Sequence, residues 1–386
     1  YMMNTNEYRT KTIFKNCDYP SFNENFWPVA IDFGYSAVKG VNPNLLYCFP
    51  NYAMRLSQGL TLLGDPDDAE IYYRDCETNE IWIVGENAQA LVSASSSDDS
   101  LTALYGRNRF FSEMFKVISR VGMGIGIGGA LMEGKHPVIQ TGLPPAYLKS
   151  DAPMLKEALS GYHSFDIRVG KNGWKHYEFT LGMNDIKVMP QPMGTLISIA
   201  TKNDGTPANQ AQDFFKSRVL IFDAGFGTLD TYYMEKRTIS NSETFDNLGM
   251  KQVLINTTNS IFKNLSVEIN VSAMQKYLET GQVTKLDRRT MKSGAYAFGD
   301  ILETESKKVC MQALEKVKEV YNYLQETDYL VITGGTGAAW ENFIREHLSA
   351  METLKIVSGN INDDLPYVFA NVRGYYMFLV NSLRAA

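Results

Sequence analysis

Short apolar runs that end at glycine, proline or polar turns recur along most of the chain and alternate with stretches of helical periodicity. The runs predict strands at residues 29–33, 71–73, 81–84, 137–141, 186–189, 219–223 and 329–332. Apolar positions at helical spacing predict helices over residues 110–121, 196–200, 300–324 and 373–383. Asp300 is predicted to cap the third of these helices, with Glu303 in the N3 place of a capping box. Strands mixed with long helices predict an α/β protein.

Three of the predicted strands run directly into an Asp-x-Gly or Gly-Gly turn. They belong to the segments 29–34, 219–230 and 329–337. The aspartates of the first two, Asp32 and Asp223, lie 191 positions apart, so one domain type is predicted to occur twice. An isolated Asp-x-Gly is usually only a turn, but three such segments in this order predict one nucleotide site.

The residue types in the first two turns suit phosphate and magnesium. Glycine lets backbone N–H groups approach phosphate oxygens, and carboxylates usually hold Mg²⁺ through retained waters. We therefore expect Asp32 and Asp223 to hold Mg²⁺ through water, from opposite sides of a triphosphate. The phosphate-binding residues expected are Asp32, Gly34, Ser36 and Lys39 in the first turn and Gly225, Gly227, Thr228 and Asp230, with Asp223, in the second.

The remaining motifs differ in how specific they are. Gly334, Gly335, Thr336 and Gly337 precede a predicted helix, whose N–H groups suit the α-phosphate or ribose of a nucleotide. Gln191, between two prolines, either orients a water molecule over the γ-phosphate or belongs to a simple turn. Residues 124–129 match G-x-G-x-x-G but follow a helix, so a close-packed helix end is predicted there rather than a dinucleotide fingerprint. The basic residues of 285–292 either meet a partner or form a solvated face.

Composition and charge exclude some classes of protein. The 386 residues carry a formal net charge of −6, which argues against direct nucleic-acid binding and favours an adaptor for any DNA contact. The apolar stretch 117–132 contains Arg120 and is shorter than the ~20 residues of a membrane span. Residues 1–15 lack the apolar core of a secretory signal. The four cysteines and four histidines lack metal-ligand spacing, so neither a zinc site nor a histidine-based triad is expected.

With these motifs, the chain resembles the actin, sugar-kinase and heat-shock chaperone ATPase superfamily, and within it the plasmid-segregating bacterial actins of the ParM type. Residues 32–39 are similar to the family's first phosphate loop, 223–230 to its second and 334–337 to its adenosine loop. Gln191 falls where the family places a water-orienting Glu or Gln. The resemblance therefore implies catalytic roles for Gln191 and Asp223.

The resemblance also implies an architecture, an actin-like two-domain fold with the nucleotide in the interdomain cleft. Each domain is expected to be a mixed five-stranded sheet with flanking helices and a smaller inserted subdomain. The expected boundaries are an N-terminal extension at 1–28, domain I at 29–202 plus 359–386 with an insertion at about 43–100, and domain II at 203–358 with an insertion at about 249–299.

The function implied is that of a cytoplasmic ATPase that polymerises. Bound Mg-ATP, with GTP left open as the other nucleotide, drives assembly into polar filaments, and hydrolysis to ADP destabilises them. Such filaments segregate or position plasmid DNA through a DNA-binding adaptor, with no direct contact to nucleic acid or membrane. The alternatives are a metabolic small-molecule kinase, which needs a catalytic aspartate and a polar substrate pocket, and a non-motor cytoskeletal or chaperone-like scaffold.

Overall fold

Contacts within the chain divide the protein into two compact units. The first comprises Thr10–Phe214 with Gly359–Ala386, and the second comprises Tyr1–Arg9 with Phe215–Ser358. The computed structural model describes residues 4–56, 66–95 and 107–384. Parts of the predicted insertion at 43–100 therefore lie outside the described residues.

The first unit is built on a six-stranded mixed sheet. Its strands, in spatial order, are β1 (Ile13–Asn16), β4 (Leu45–Pro50), β3 (Ala37–Val41), β2 (Phe26–Phe33), β8 (His136–Leu143) and β11 (Ile186–Pro190). β2, β8 and β11 run parallel, whereas the other neighbours are antiparallel. The sheet has one strand more than the five predicted, because β1 from the N-terminal residues pairs with the edge of β4.

Helices cover both faces of this sheet. The helices of this part of the chain are α1 (Glu86–Ser95), α2 (Glu113–Glu133), α3 (Leu148–Leu159), α4 (Gln191–Ala200), α5 (Ala211–Lys216) and α10 (Ala370–Arg384). Side chains alternate along β2, so Val29 and Ile31 join the core that includes α2, while Ala30 joins the core that includes α10. β2 is therefore buried on both faces, as parallel strands between helix layers usually are.

Helix α2 approaches the sheet closely through its glycines. A Cβ on Gly129 would lie 2.2 Å from the Trp27 ring, and one on Gly126 would lie 2.6 Å from Val29 Cγ1. The helix end predicted at 124–129 is wrong, because α2 continues to Glu133 and the left-handed Gly134 caps it. Among the described helices, α2 alone is long and apolar enough to span a membrane, but 72% of its apolar window is buried, as in a core helix.

Helices α4 and α10 touch backbone to backbone at Gly194 and Gly374. A Cβ on Gly374 would lie 1.6 Å from Gly194 O. We expect Gly374→Ala to lower the free energy of unfolding by about 3 kcal/mol, because the helices must separate and strain their hydrogen bonds. The hydrogen bond between the two helices from Thr195 Oγ1 to Asn371 Oδ1, 2.7 Å long, is one of those that would be strained. Alanine has a higher helix propensity than glycine by roughly 1 kcal/mol, but this gain is smaller than the expected loss from separating the helices.

Urea unfolding of the purified protein measures this effect. The matched control is Gly173→Ala, since a Cβ there meets no atom within 4 Å and the glycine does not have a left-handed φ. The control should stay within roughly 0.5 kcal/mol of the unsubstituted protein. Equal stability of the two variants would contradict the close contact of the helices.

A second sheet in the first unit joins strands that are far apart in sequence. In spatial order its strands are β10 (Lys175–Leu181), β9 (Gly161–Val169), β6 (Ile71–Asp75), β7 (Ile81–Val84) and β5 (Ala53–Arg55). All neighbours are antiparallel. Tyr73 and Phe165 pack at a ring-centroid distance of 5.6 Å and belong to the same core as α2. This core holds the second sheet onto the rest of its unit.

The second unit contains the five-stranded mixed sheet that was predicted. Its strands, in spatial order, are β14 (Thr238–Asp246), β13 (Thr228–Glu235), β12 (Arg218–Ala224), β17 (Tyr329–Thr333) and β18 (Lys355–Ser358). The unit also contains a hairpin of β15 (Gln282–Asp287) and β16 (Lys292–Ala297), and the helices α6 (Met250–Leu265), α7 (Met274–Thr280), α8 (Gly299–Val320) and α9 (Gly335–His347). The hairpin carries the basic patch of 285–292.

Three local predictions need correction or completion. Asp300 does not cap α8, because the helix begins at Gly299 with Phe298 as its N-cap residue; Asp300 lies in the first turn, where a carboxylate favours the helix dipole. Residues 203–207, at the expected start of domain II, form a turn that the backbone pairing of Thr201 with Pro207 closes. Within the expected N-terminal extension, Thr5–Tyr8 form a short 3-10 helix, and Tyr8 OH donates a hydrogen bond to Ser306 Oγ within the second unit.

Candidate nucleotide-binding site

The first predicted phosphate loop is the tight turn of the β2–β3 hairpin. Asp32 lies at the end of β2, is only 3% exposed, and is the cross-strand partner of Lys39. Lys39 Nζ lies 2.9 Å from Asp32 Oδ2. A Cβ on Gly34 would meet both Ala37 O and Lys39 Nζ at 2.9 Å, so the turn needs glycine there. Ser36 lies in the same turn, and the four predicted residues are therefore brought together.

Asn51 holds this loop from outside and was missed by the sequence analysis. Its Nδ2 donates to Gly34 O over 2.7 Å, and its backbone N–H donates to Ser36 O over 2.9 Å. These two bonds hold the carbonyl groups of Gly34 and Ser36 and so fix the backbone of the turn. A single Asn shortly after a strand carries no sequence signal of this role.

Gln191 reaches the first loop from a distant part of the chain. It is the first residue of α4, directly after β11, and not part of a simple turn. Its Nε2 donates to Asp32 Oδ1 over 3.1 Å. Both carboxylate oxygens of Asp32 are thus held, one by Gln191 and the other by Lys39. The structure therefore joins a predicted catalytic side chain to a predicted metal-binding carboxylate across 159 positions of sequence.

Arg109 is a second feature that the sequence analysis did not single out as a site residue. It is 8% exposed, donates from Nη2 to Phe33 O over 2.7 Å, and stacks 4.4 Å from the ring centre of Tyr35. Its Nη1 has no hydrogen-bond partner among the described residues. Burial lowers the pKa of Arg109, which the charges of Tyr35 and Asp32 oppose. A buried cation therefore lies against the backbone of the first loop.

The second predicted phosphate loop is the turn between β12 and β13. Asp223 and Asp230 are cross-strand partners and are 5% and 2% exposed. The turn closes with a bond from Gly225 N to Thr228 O, 2.9 Å, and Thr228 Oγ1 donates to Asp230 Oδ2 over 3.1 Å. Gly227 lies in the same turn. Two buried carboxylates next to a glycine turn form a dense set of hard oxygen donors.

The third predicted segment packs onto this second loop. Thr336 Oγ1 donates to Gly225 O over 2.6 Å. Gly334, with φ of 81°, approaches so closely that a Cβ would lie 2.3 Å from Ala224 O and 2.6 Å from Asp223 Oδ1. Gly335 is the first residue of α9, and Gly337 is the third. The glycines of 334–337 thus bring a helix N-terminus to the edge of the loop.

The N-terminus of α6 also meets the second loop. Met250 N donates to Gly225 O over 3.2 Å, and Lys251 N donates to Phe226 O over 2.8 Å. A Cβ on Gly249 would lie 2.5 Å from Phe226 O. Gly249 is therefore a further glycine on which the loop depends, and no motif marks it in the sequence.

Asp230 has a strongly perturbed acidity. Its burial, and then the nearby Asp223 carboxylate, raise the pKa of Asp230 to about 8. An unfolded Asp titrates near ~3.9, so between about pH 4 and pH 8 the unfolded chain has lost a proton that the folded protein keeps. The free energy of unfolding therefore falls as the pH rises through this window, by roughly 1.4 kcal/mol per pH unit.

We expect Asp230→Asn to remove this dependence. The stability of the variant relative to the unsubstituted protein should rise steadily from pH 5 to pH 8 in urea unfolding without nucleotide. The control is Asp213→Asn, since Asp213 is exposed on α5 and should give the same small difference at both pH values. An Asp230→Asn difference that does not change with pH would show that this carboxyl group is already ionised in the folded protein.

The predicted site residues thus form two groups, one in each unit. Asp32, Gly34, Ser36, Lys39 and Gln191 meet in the first unit. The others meet in the second unit, where the 334–337 segment contacts the 223–230 turn.

The comparisons with known proteins bear on this arrangement. Residues 30–194 match a family model described as the N-terminal domain of actin-like proteins. A non-polymerisable quadruple mutant of pCBH ParM aligns with a TM-score of 0.69 and 20% identity, over 92% of this chain and 100% of that one. The protein has an actin-like fold. The resemblance stated from the motifs is confirmed at this level.

Two further structures are similar to this protein. A 15-stranded ParM filament from Clostridium botulinum aligns with a TM-score of 0.68 and 19% identity, over 92% of this chain and 99% of that one. Ta0583, an archaeal actin homologue in complex with ADP, aligns with a TM-score of 0.58 and 13% identity, over the same shares of the two chains. No curated protein sequence matches the chain significantly.

Each loop contains residue types that suit magnesium or phosphate. Asp230 Oδ1 is buried and makes no hydrogen bond among the described residues, which is unusual for a carboxylate oxygen unless a further ligand satisfies it. A Cβ on Gly334 would lie 2.6 Å from Asp223 Oδ1, so glycine leaves the approach to that carboxylate open. Carboxylate oxygens with several waters are the surroundings that Mg²⁺ prefers.

Proposed function

We propose that this actin-like protein binds and hydrolyses a magnesium nucleotide, ATP in the first instance, and assembles into filaments with it. The observation that carries the proposal is the double hold on Asp32, by Lys39 on one oxygen and by Gln191 on the other. A structural turn does not need a glutamine from the start of a helix 159 positions away. A catalytic site that must align a water molecule, a metal ion and a phosphate group does need such a side chain.

Each residue then has a distinct task. Lys39 and the N–H groups of the first turn bind phosphate oxygens, and Asp32 and Asp223 hold Mg²⁺ through water. Mg²⁺, when bound, neutralises phosphate charge and polarises the phosphoryl group. Gln191 orients the attacking water by its amide, and Gly334–Gly337 bind the nucleoside end with the N-terminus of α9. The ADP complex of the archaeal actin homologue supports nucleotide binding by this fold.

The proposal also covers filament formation and the role of the filament in the cell. Similarity to a ParM filament supports self-association of this chain. A net charge of −6 favours an adaptor protein over direct contact with plasmid DNA, and we propose a cytoplasmic role in moving or positioning that DNA. GTP remains the alternative nucleotide.

The competing function is a small-molecule kinase of the same superfamily. Phosphate release by the purified protein with Mg-ATP and no acceptor separates the two. For a polymerising ATPase we expect phosphate release per subunit to be low in dilute solution and to rise steeply above a threshold concentration, because assembly creates the active form. A kinase should release little phosphate at any concentration, and a non-polymerising ATPase should release it at a constant rate per subunit. Either result would contradict the proposal.

A further inference from the structure

Three ligand-type side chains meet on the second sheet of the first unit, far from any motif. Asp166 on β9 has His176 on β10 and Arg74 on β6 as its two cross-strand partners. Cys76 lies in the turn directly after β6, and its Sγ is 3.8 Å from Asp166 Oδ1. Of the residues that the structure describes, only Cys76, Asp166 and His176 form a group of three that could hold a metal ion. The three residues are far apart in the sequence, so their spacing does not predict the group. The pairing of β6, β9 and β10 brings them together.

The three donor atoms have nearly the spacing of a metal's ligands. Cys76 Sγ lies 3.8 Å from Asp166 Oδ1 and 3.8 Å from His176 Nδ1, and the last two atoms lie 2.8 Å apart. Bonds of about 2.0–2.3 Å to a tetrahedral zinc ion place neighbouring ligand atoms roughly 3.3–3.8 Å apart. Two of the three distances already fit. The third is a hydrogen bond that an ion would replace after a shift of about half an ångström.

The surrounding residues direct the donors towards one point. Arg74 donates from both Nε and Nη2 to Asp166 Oδ2, which leaves Oδ1 for the cluster. Arg74 is held in turn over the Trp174 ring at 4.7 Å. His176 Nε2, the nitrogen that faces away from the cluster, lies 3.7 Å from Glu178 Oε2. A carboxylate near the outer nitrogen of a ligating histidine is the usual support for a metal site.

The charge around Asp166 and the solvent exposure of His176 also suit a bound metal ion. Asp166 forms an ion pair with Arg74, which holds the carboxylate in place beside Cys76 and His176. The His176 side chain is 51% exposed, so an ion can enter from solvent. Of the other three cysteines, Cys48 and Cys310 are buried, and none belongs to a described group of three possible ligands.

We propose that Cys76, Asp166 and His176 form a binding site for a divalent transition metal of the zinc class, with a fourth position open to water. The thiolate and imidazole select Zn²⁺ or Co²⁺ over Mg²⁺, which prefers oxygen ligands alone. A bound ion links the turn after β6 to the edge strand β10. This site lies on a different sheet from both phosphate loops and does not rest on the proposed nucleotide function.

Cobalt titration of the full-length, nucleotide-free protein tests the site. We expect one equivalent of Co²⁺ to produce a sulfur-to-cobalt charge-transfer band, Zn²⁺ to displace it, and zinc to raise the midpoint of thermal unfolding. Cys76→Ser should abolish the band, and His176→Ala should weaken cobalt binding by roughly 100-fold or more. Because the His176 side chain is half exposed, this variant should fold like the unsubstituted protein.

Two matched controls are available in the same chain. Cys17→Ser removes a thiol outside the cluster, and His136→Ala removes a histidine that also lies 2.8 Å from a carboxylate, that of Asp185, without a cysteine. Both controls should bind cobalt like the unsubstituted protein. Absence of the charge-transfer band in the unsubstituted protein, or an equal band in Cys76→Ser, would overturn the proposal. So would an equal loss of cobalt affinity in His136→Ala and His176→Ala.

Discussion

Asp223→Asn is expected to lower the rate of phosphate release from ATP by roughly 100-fold or more, as the loss of one preorganised charged group in an active site usually does. Asp223 lies near the end of β12 and is 5% exposed. It is the cross-strand partner of Asp230 and lies close to Gly334. The amide keeps the shape of the side chain but loses the charge that orders Mg²⁺ and its waters. Phosphate release at saturating Mg-ATP, above the assembly threshold, measures the effect.

The fold should survive this substitution. Asp223 raises the pKa of Asp230, so removing its charge relieves repulsion between two buried carboxyl groups. The midpoint of thermal unfolding should therefore not fall. The control is Asp213→Asn on the exposed face of α5, which should hydrolyse ATP like the unsubstituted protein. Normal phosphate release by Asp223→Asn would remove this residue from the catalytic site.

Gln191→Ala is expected to slow hydrolysis by about 100-fold, the order of loss that follows when a reacting group is misplaced by about an ångström. Nucleotide binding should change little, because Lys39 and the glycine turns bind the phosphates without it. The amide of Gln191 also donates to Asp32, so its removal leaves that carboxylate held by Lys39 alone. Single-turnover hydrolysis measures the rate, and fluorescent ADP titration measures the affinity.

The matched control for this residue is Gln212→Ala, since Gln212 is exposed on α5. It should affect neither rate nor affinity. Filaments of Gln191→Ala should last longer after ATP is added, if hydrolysis destabilises them. A variant that loses nucleotide affinity and hydrolysis together would show that Gln191 binds the nucleotide rather than orients water.

Parts of the fold and of the site follow from local sequence rules. Strand patterns with glycine turns at Asp32, Asp223 and Gly334 predict the loops, because an apolar run followed by Asp-x-Gly or Gly-Gly has few other structures. The helical spacing of α2 and α8 likewise predicts both helices. Their ends were predicted less well, because the glycines of 124–129 allow close packing inside a helix and Phe298, not Asp300, precedes α8.

What the sequence did not reveal depends on contacts between distant segments. Asn51 and Arg109 reach the first loop only after the chain has folded, so no local pattern marks them. The contact of Gly194 with Gly374 and the pKa of Asp230 are likewise products of burial and packing. The cluster of Cys76 with Asp166 and His176 arises from the register of three strands.

A bound nucleotide is expected to drive this protein into filaments. High-speed sedimentation and negative-stain electron microscopy test it most directly, with the protein incubated with Mg-ATP, with Mg-ADP, or without nucleotide. We predict sedimenting filaments above a threshold concentration with Mg-ATP, and mostly unassembled protein in the other two samples. Protein that binds Mg-ATP but stays in the supernatant at every concentration, with no filaments on the grid, would contradict the account.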